Sequence, residues 1–219
     1  MGRVSRGEEG GRRRRIWPWT TALILAIVLI PVAFIVVPIL THADQGVSTP
    51  RDAHDGSAAS SVTADGGDGR VRTLAVFEED ATTPAPVDAL REGQRLVVKG
   101  EGYDAGQGIY VGVCRIPSSL EEKPSPCLGG VPDASRAGDE SEREFAPSNW
   151  INDDWAWRIF AARGYDDAGR GAFTAYLVVP PAQEDLDCAI ERCAIYTRND
   201  HTAASDRVQD VGVPIRVIG

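Results

Sequence analysis

Four kinds of side chain in this sequence could do chemistry: cysteines, histidines, adjacent carboxylates and a group of tryptophans. Cys114, Cys127, Cys188 and Cys193 lack the close CxxC-type pair that zinc ligands favour. An even count confined to the part of the chain read below as exported argues for two disulfides, with three connectivities open: a long-range pair such as 114 with 188, local loops, or the remaining crossing. Oxidised cysteines are not nucleophiles. His201 stands near Asp200, Ser205 and Asp206, which are residue types of a nucleophile, base and orienting acid. The stretch NDHTAASDR is polar throughout, however, and reads as an exposed loop before the last strand. General acid catalysis needs a carboxyl with a raised pKa, and Glu78/Glu79, Asp153/Asp154 and Asp166/Asp167 read instead as solvated turn acids. His42 and His54 with Asp52, Asp55, Asp65 and Asp68 lie in a Gly/Ser/Ala-rich stretch and read as solvated too. No catalytic residue, metal or cofactor is expected, and the chain is not expected to be an enzyme. Trp150, Trp155 and Trp157, with Phe160 and Ile116, are the candidate binding residues. Trp155 and Trp157 are two apart, so on a strand they share a face. They are either core or the rim of a pocket for a flat apolar ligand, a glycan or a partner protein.

The 219 residues, 42% hydrophobic and 25% charged, suit one modest domain with appendages and exclude a large multidomain enzyme. Residues 1–15 hold six arginines against Glu8 and Glu9, a charge of +4, whereas 17 basic and 30 acidic residues from Asp44 onward give -13. So acidic a body repels a phosphate backbone, and direct nucleic-acid binding is not expected. Residues 16–40 contain no charged side chain. As a helix they span roughly 37 Å, more than a hydrocarbon core of ~30 Å requires. Trp17 and Trp19 follow the arginines, which predicts a cytoplasmic N-terminus, a membrane-spanning signal anchor and an exported remainder. The small-residue end Thr41-His42-Ala43 would suit a cleaved signal peptide, but the apolar run is longer than signal peptides carry.

Four segments follow: a basic cytoplasmic tail, 1–15; a transmembrane helix, 16–40; a flexible stalk, 41–70, whose only large apolar residues are two valines; and a folded domain, 71–219. The domain alternates in period two, with turn residues between short runs. This predicts strands at 71–77, 95–99, 108–116, 155–161, 172–179, 193–197 and 208–218, hence an all-β sandwich of seven strands with few helices.

The run LREGQRLVVKGEGYDAG at 90–106, then Tyr110-Val111-Gly112 and Cys114, resembles the opening strands of the neocarzinostatin family. The resemblance continues through the turn at 167–171 before Phe173, Leu177 and Val179, through Asp187-Cys188 with four residues before Cys193, and through Val211-Gly212-Val213-Pro214-Ile215. It covers residues 90–219. It implies an immunoglobulin-like seven-stranded sandwich with two local disulfides, 114/127 and 188/193. Family members are secreted carriers that hold an enediyne chromophore in an apolar cleft between the larger sheet and its disulfide-bearing loops. The sequence departs from them at 180–187, where Leu186 is the one large apolar residue of a shortened hairpin. It departs again in the longer region 127–166 that carries Phe145 and the tryptophans. Residues 197–213 are also similar to the tail of modules on actinobacterial cell-surface proteins, some associated with haem uptake. No spacing supports haem ligation by a tyrosine or by His201 specifically.

The expected protein is therefore a non-catalytic binding or structural module on a single-pass anchor in a bacterial cytoplasmic membrane, with its domain extracellular. The alternative is a carrier of an apolar small molecule, an enediyne-type chromophore or haem, in the sandwich cleft. Besides the membrane, the expected partners are such a ligand or a surface protein.

Overall fold

The computed structural model describes residues 17–51, 59–130, 144–158 and 162–218. The basic tail at 1–15, His54 and Phe160 lie outside the described residues. The chain divides into two compact units, Met1–Thr41 and His42–Gly219.

In the first unit Trp17–Thr41 is one helix, α1, with no acidic residue in its first turn and no basic one in its last. Leu23, Ile24, Ile27 and Val28 are all exposed on it. Among the described residues no helix is long and apolar enough to cross a membrane. The expected transmembrane helix is therefore not found among the described residues.

The second unit is mostly β: among the described residues two antiparallel sheets hold nine strands instead of the expected seven. The five-stranded sheet has the order β1 (Ser48–Pro50), β2 (Ser61–Gly66), β3 (Val71–Glu78), β4 (Arg95–Glu101), β7 (Phe173–Val178). The four-stranded sheet has the order β6 (Ser148–Ile151), β5 (Ile109–Arg115), β8 (Cys193–Asn199), β9 (Val211–Ile215). Period-two alternation turns Leu74, Val76, Leu96, Val98, Ala175 and Leu177 of the first sheet toward Ile109, Val111, Val113, Ile195 and Val213 of the second, and these form the buried core. Tyr103 seals one end, fully buried, with its hydroxyl 3.1 Å from Thr197 Oγ1 and its ring edge-on to Phe173. Every strand, both disulfides and this whole core lie within 42–219, so the segment holds what it needs to fold by itself.

The two additional strands come from the segment expected to be a stalk. Val62 and Ala64 of β2 point into the core, 5% and 0% exposed, while β2 pairs with β3 from Ser61↔Ala75 to Asp65↔Val71. Polar groups fix the rest. Asp68 receives both terminal nitrogens of the fully buried Arg72, at 3.0 and 2.6 Å. Burial pushes the Asp68 carboxyl up, but its hydrogen bonds from Arg72 and from the Arg70 amide outweigh this and hold it below the usual range. His42 Nε2 lies 2.7 Å from Asp206 Oδ2, and the Ser48 hydroxyl donates to the Val208 carbonyl.

Two more expectations are corrected. Residues 155–158 are a short helix, α2 (Trp155–Arg158), because Asn152 accepts from the Asp154 amide and the Asp154 carbonyl receives the first helical donors. The strand there is β6, which contains Trp150. The last strand is Val211–Ile215, shorter than 208–218, because a turn from Arg207 O to Asp210 N delays its start.

Candidate functional site

The outward face of the four-stranded sheet carries the site. Alternation along β5 sends Tyr110, Gly112 and Cys114 outward, and register sets Tyr110 between Trp150 and Arg198, Gly112 between Ser148 and Tyr196, and Cys114 beside Ala194. At the centre of this grid is a glycine. A Cβ on Gly112 would meet only the Ser148 Cβ, at 3.6 Å, so this buried floor leaves room for a small side chain. At Gly212 the opposite holds, since a Cβ would meet the Tyr196 ring at 2.5 Å: that ring lies across Gly212 and forms one side.

The other side is built by the loop after β5. The Arg115 amide donates to the Pro126 carbonyl and the Leu128 amide to the Val113 carbonyl, which lays the returning chain along the edge β6 leaves free. The Cys114–Cys127 disulfide ties it down there, and Pro124 O accepts from Arg198 Nη1 at 3.2 Å where the loop reaches over β8. The result is a shallow recess lined by Tyr110, Gly112, both cysteines, Leu128, Gly130, Ser148, Tyr196 and Arg198. Its enclosed part is about 10 Å³, the space of roughly one water, and the rest is open to solvent, so a ligand there lies on the surface of the sheet.

Beyond Tyr110 the face rises into an aromatic cluster. Trp150 and Trp157 are 5.6 Å apart between ring centroids, and His201 meets them edge-on at 5.4 and 4.9 Å. Tyr110 OH is 3.1 Å from His201 Nδ1. Behind them Asp200 Oδ2 accepts from Trp150 Nε1 at 2.9 Å and from Asn152 at 3.0 Å, while Oδ1 caps Thr202. Asp200 thus orients an indole and a turn, not the imidazole, and His201 faces a phenol and two indoles in place of a serine. Burial, with Asp200 second, pushes the Tyr110 phenol up to about 12, and burial, with Asp210 second, does the same for Tyr196. Both phenols are neutral at pH 7 and offer stacking surface and hydrogen bonds, not acid–base chemistry.

Of the residues singled out in sequence, Trp150 and Trp157 come together, with Trp150 buried and Trp157 half-buried. They do not share a strand. Trp155, on α2, is 79% exposed. Ile116, half-buried beyond the far end of β5, binds Arg192 O through its amide and is separated from the tryptophans by the whole strand. The disulfides are the local pairs 114–127 and 188–193. Leu186 is 1% exposed and belongs to the core, so the shortened hairpin supplies no wall to the cleft. Gly112, Tyr196 and Arg198 escape a reading of composition. The signal was the alternation of 109–115, which already puts Tyr110, Gly112 and Cys114 on one face. Among the described residues no group of histidine, cysteine and acidic side chains could hold a metal ion.

No protein-family model and no curated protein matches the chain. Among solved structures, macromomycin aligns at a TM-score of 0.34 and 16% identity, over 66% of this chain and 99% of that one. At that level the likeness is one of loosely related fold, and nothing about this chain is built on it.

Proposed function

We propose that residues 42–219 form a non-catalytic binding module whose ligand is a small, flat aromatic molecule seated over Gly112, and that the uncharged run at 16–40 holds the module on the outer side of a bacterial cytoplasmic membrane. The observation that carries the ligand is the glycine floor between Tyr110 and Tyr196, walled by a disulfide-tethered loop. Neutral phenols, a sulfur bridge and Leu128 favour stacking and apolar contact. The anchor is supported by the uncharged run at 16–40 after six arginines.

Titration of the 42–219 domain with neutral 2-naphthalenesulfonamide, followed in its amide spectrum, tests the ligand. Saturable binding that Gly112→Leu abolishes while the spectrum stays folded is the expected result. An unchanged affinity in Gly112→Leu would place the ligand elsewhere. The anchor predicts that the full chain stays with membranes after carbonate washing, and a mature N-terminus at Asp44 in the medium would contradict it. A protein partner is the second reading, favoured by the exposure of Trp155.

A further inference from the structure

We infer that the ligand of this cleft carries an anionic group, a carboxylate, sulfonate or phosphate ester, seated at Arg198 beside the Gly112 floor. The inference rests on the cleft reading above and adds the ligand's charge to it.

From Asp44 onward acids outnumber bases by 30 to 17, so a cation in this domain readily finds a carboxylate. Arg51, Arg72, Arg95, Arg115, Arg170 and Arg207 each have one within 3.1 Å. Arg198 does not, among the described residues, although it is half-buried in the cleft wall. Its guanidinium lies 5.8 Å from the Tyr110 ring centroid and spends a single hydrogen bond on Pro124 O. Since a guanidinium has five N–H donors in a planar fork, most of its capacity is free.

Lys123 immediately precedes that proline. Burial lowers its ammonium pKa, and Arg198 and then Arg207 lower it further, which places it in the same positive field. The carboxylates facing the pair are accounted for. Asp210 Oδ2 is held by Arg207 at 2.7 Å, a buried pair that is neutral as a unit. In the loop, Glu122 binds the Ser118 amide and hydroxyl at 3.0 and 2.6 Å, and Glu121 is exposed. The Arg198 guanidinium therefore remains at the cleft edge with a stacking surface next to it. That combination recognises an aromatic anion, with the rings on Gly112 and Tyr196 and the charge on the guanidinium fork.

The test compares 2-naphthalenesulfonate with neutral 2-naphthalenesulfonamide on the folded 42–219 domain. They share a ring system and differ in charge. The sulfonate should bind roughly tenfold more tightly at low salt, the scale of one hydrogen bond to a charged group. The preference should shrink in 1 M salt, where charges are screened within about 3 Å. The variant Arg198→Met should bring the ratio to about one while leaving sulfonamide binding in place. Equal affinities in the unmodified domain, or a preference that survives this variant, would overturn the anionic assignment. Sulfonamide binding that is still lost in Gly112→Leu would meanwhile uphold the cleft. Failure of both probes to bind would overturn the cleft reading and this inference with it.

Discussion

The two sheets present outward faces built on the same alternation, yet the middle of one is paved by a valine while that of the other, a buried glycine, is open only in lacking a side chain. On the five-stranded sheet Val97 points outward and is still 0% exposed, because its surroundings are filled in. Phe145 packs edge-on against Tyr176, Arg95 lies 5.1 Å from the Phe145 ring, and Lys99 lies 5.0 Å from the Phe77 ring. Ala146 also exchanges backbone hydrogen bonds with Tyr176 and Val178, which covers the free edge of β7. On the four-stranded sheet the corresponding middle position is Gly112, and the loop that could have covered it is held to one side by the Cys114–Cys127 disulfide. A binding site in a sandwich needs no catalytic motif. It needs one outward position left unfilled and a rigid neighbour to keep it so.

This contrast can be broken from either side. The largest effect belongs to the paved sheet: Asp68→Ala leaves Arg72 charged and fully buried without a counterion, and should destabilise the domain by about 3–5 kcal/mol in urea unfolding. Probe binding by the protein that remains folded should not change. On the open sheet, replacing Cys114 and Cys127 together by serine releases a loop with a sequence separation of 13 and should remove about 3 kcal/mol, as well as aromatic binding. Loss of stability with binding retained would show that the tethered wall is dispensable.

A smaller effect is expected at the border of the open face. Burial raises the Asp210 carboxyl from 3.8 to about 6 in spite of Arg207. Because the folded value lies above the unfolded one, the stability linked to this group is full below about pH 4 and is lost as pH rises through about 6. Relative to Asp210→Asn, the unmodified domain should thus lose roughly 2–3 kcal/mol between pH 4 and pH 7. Parallel urea midpoints for the two proteins across that range would contradict it.

Most of the framework was legible because its information is local. The strands at 71–77, 95–99, 172–179 and 193–197 alternate strongly and occur within one or two residues of where alternation puts them. The family resemblance also selected the correct disulfides. The first two strands were hidden because β2 turns only Val62 and Ala64 inward and is secured by Asp68 on Arg72. The segment before it is held by His42 on Asp206, 164 residues away, a pairing that composition cannot show. Trp155 and Trp157 look like a strand face by spacing, but the Asn152-Asp153-Asp154 turn before them starts a helix instead. The cleft was the least legible part, since its defining residue is a glycine whose significance is the side chain it lacks.

The central claim is that the open face, and not the paved one, takes the ligand. Amide shift mapping of the 42–219 domain with 2-naphthalenesulfonamide tests it most directly. Shifts confined to residues 110–114, 127–130 and 196–198, with 73–77 and 97–99 silent, are predicted. Shifts centred on the five-stranded sheet or on 155–157, with 110–114 unmoved, would contradict it.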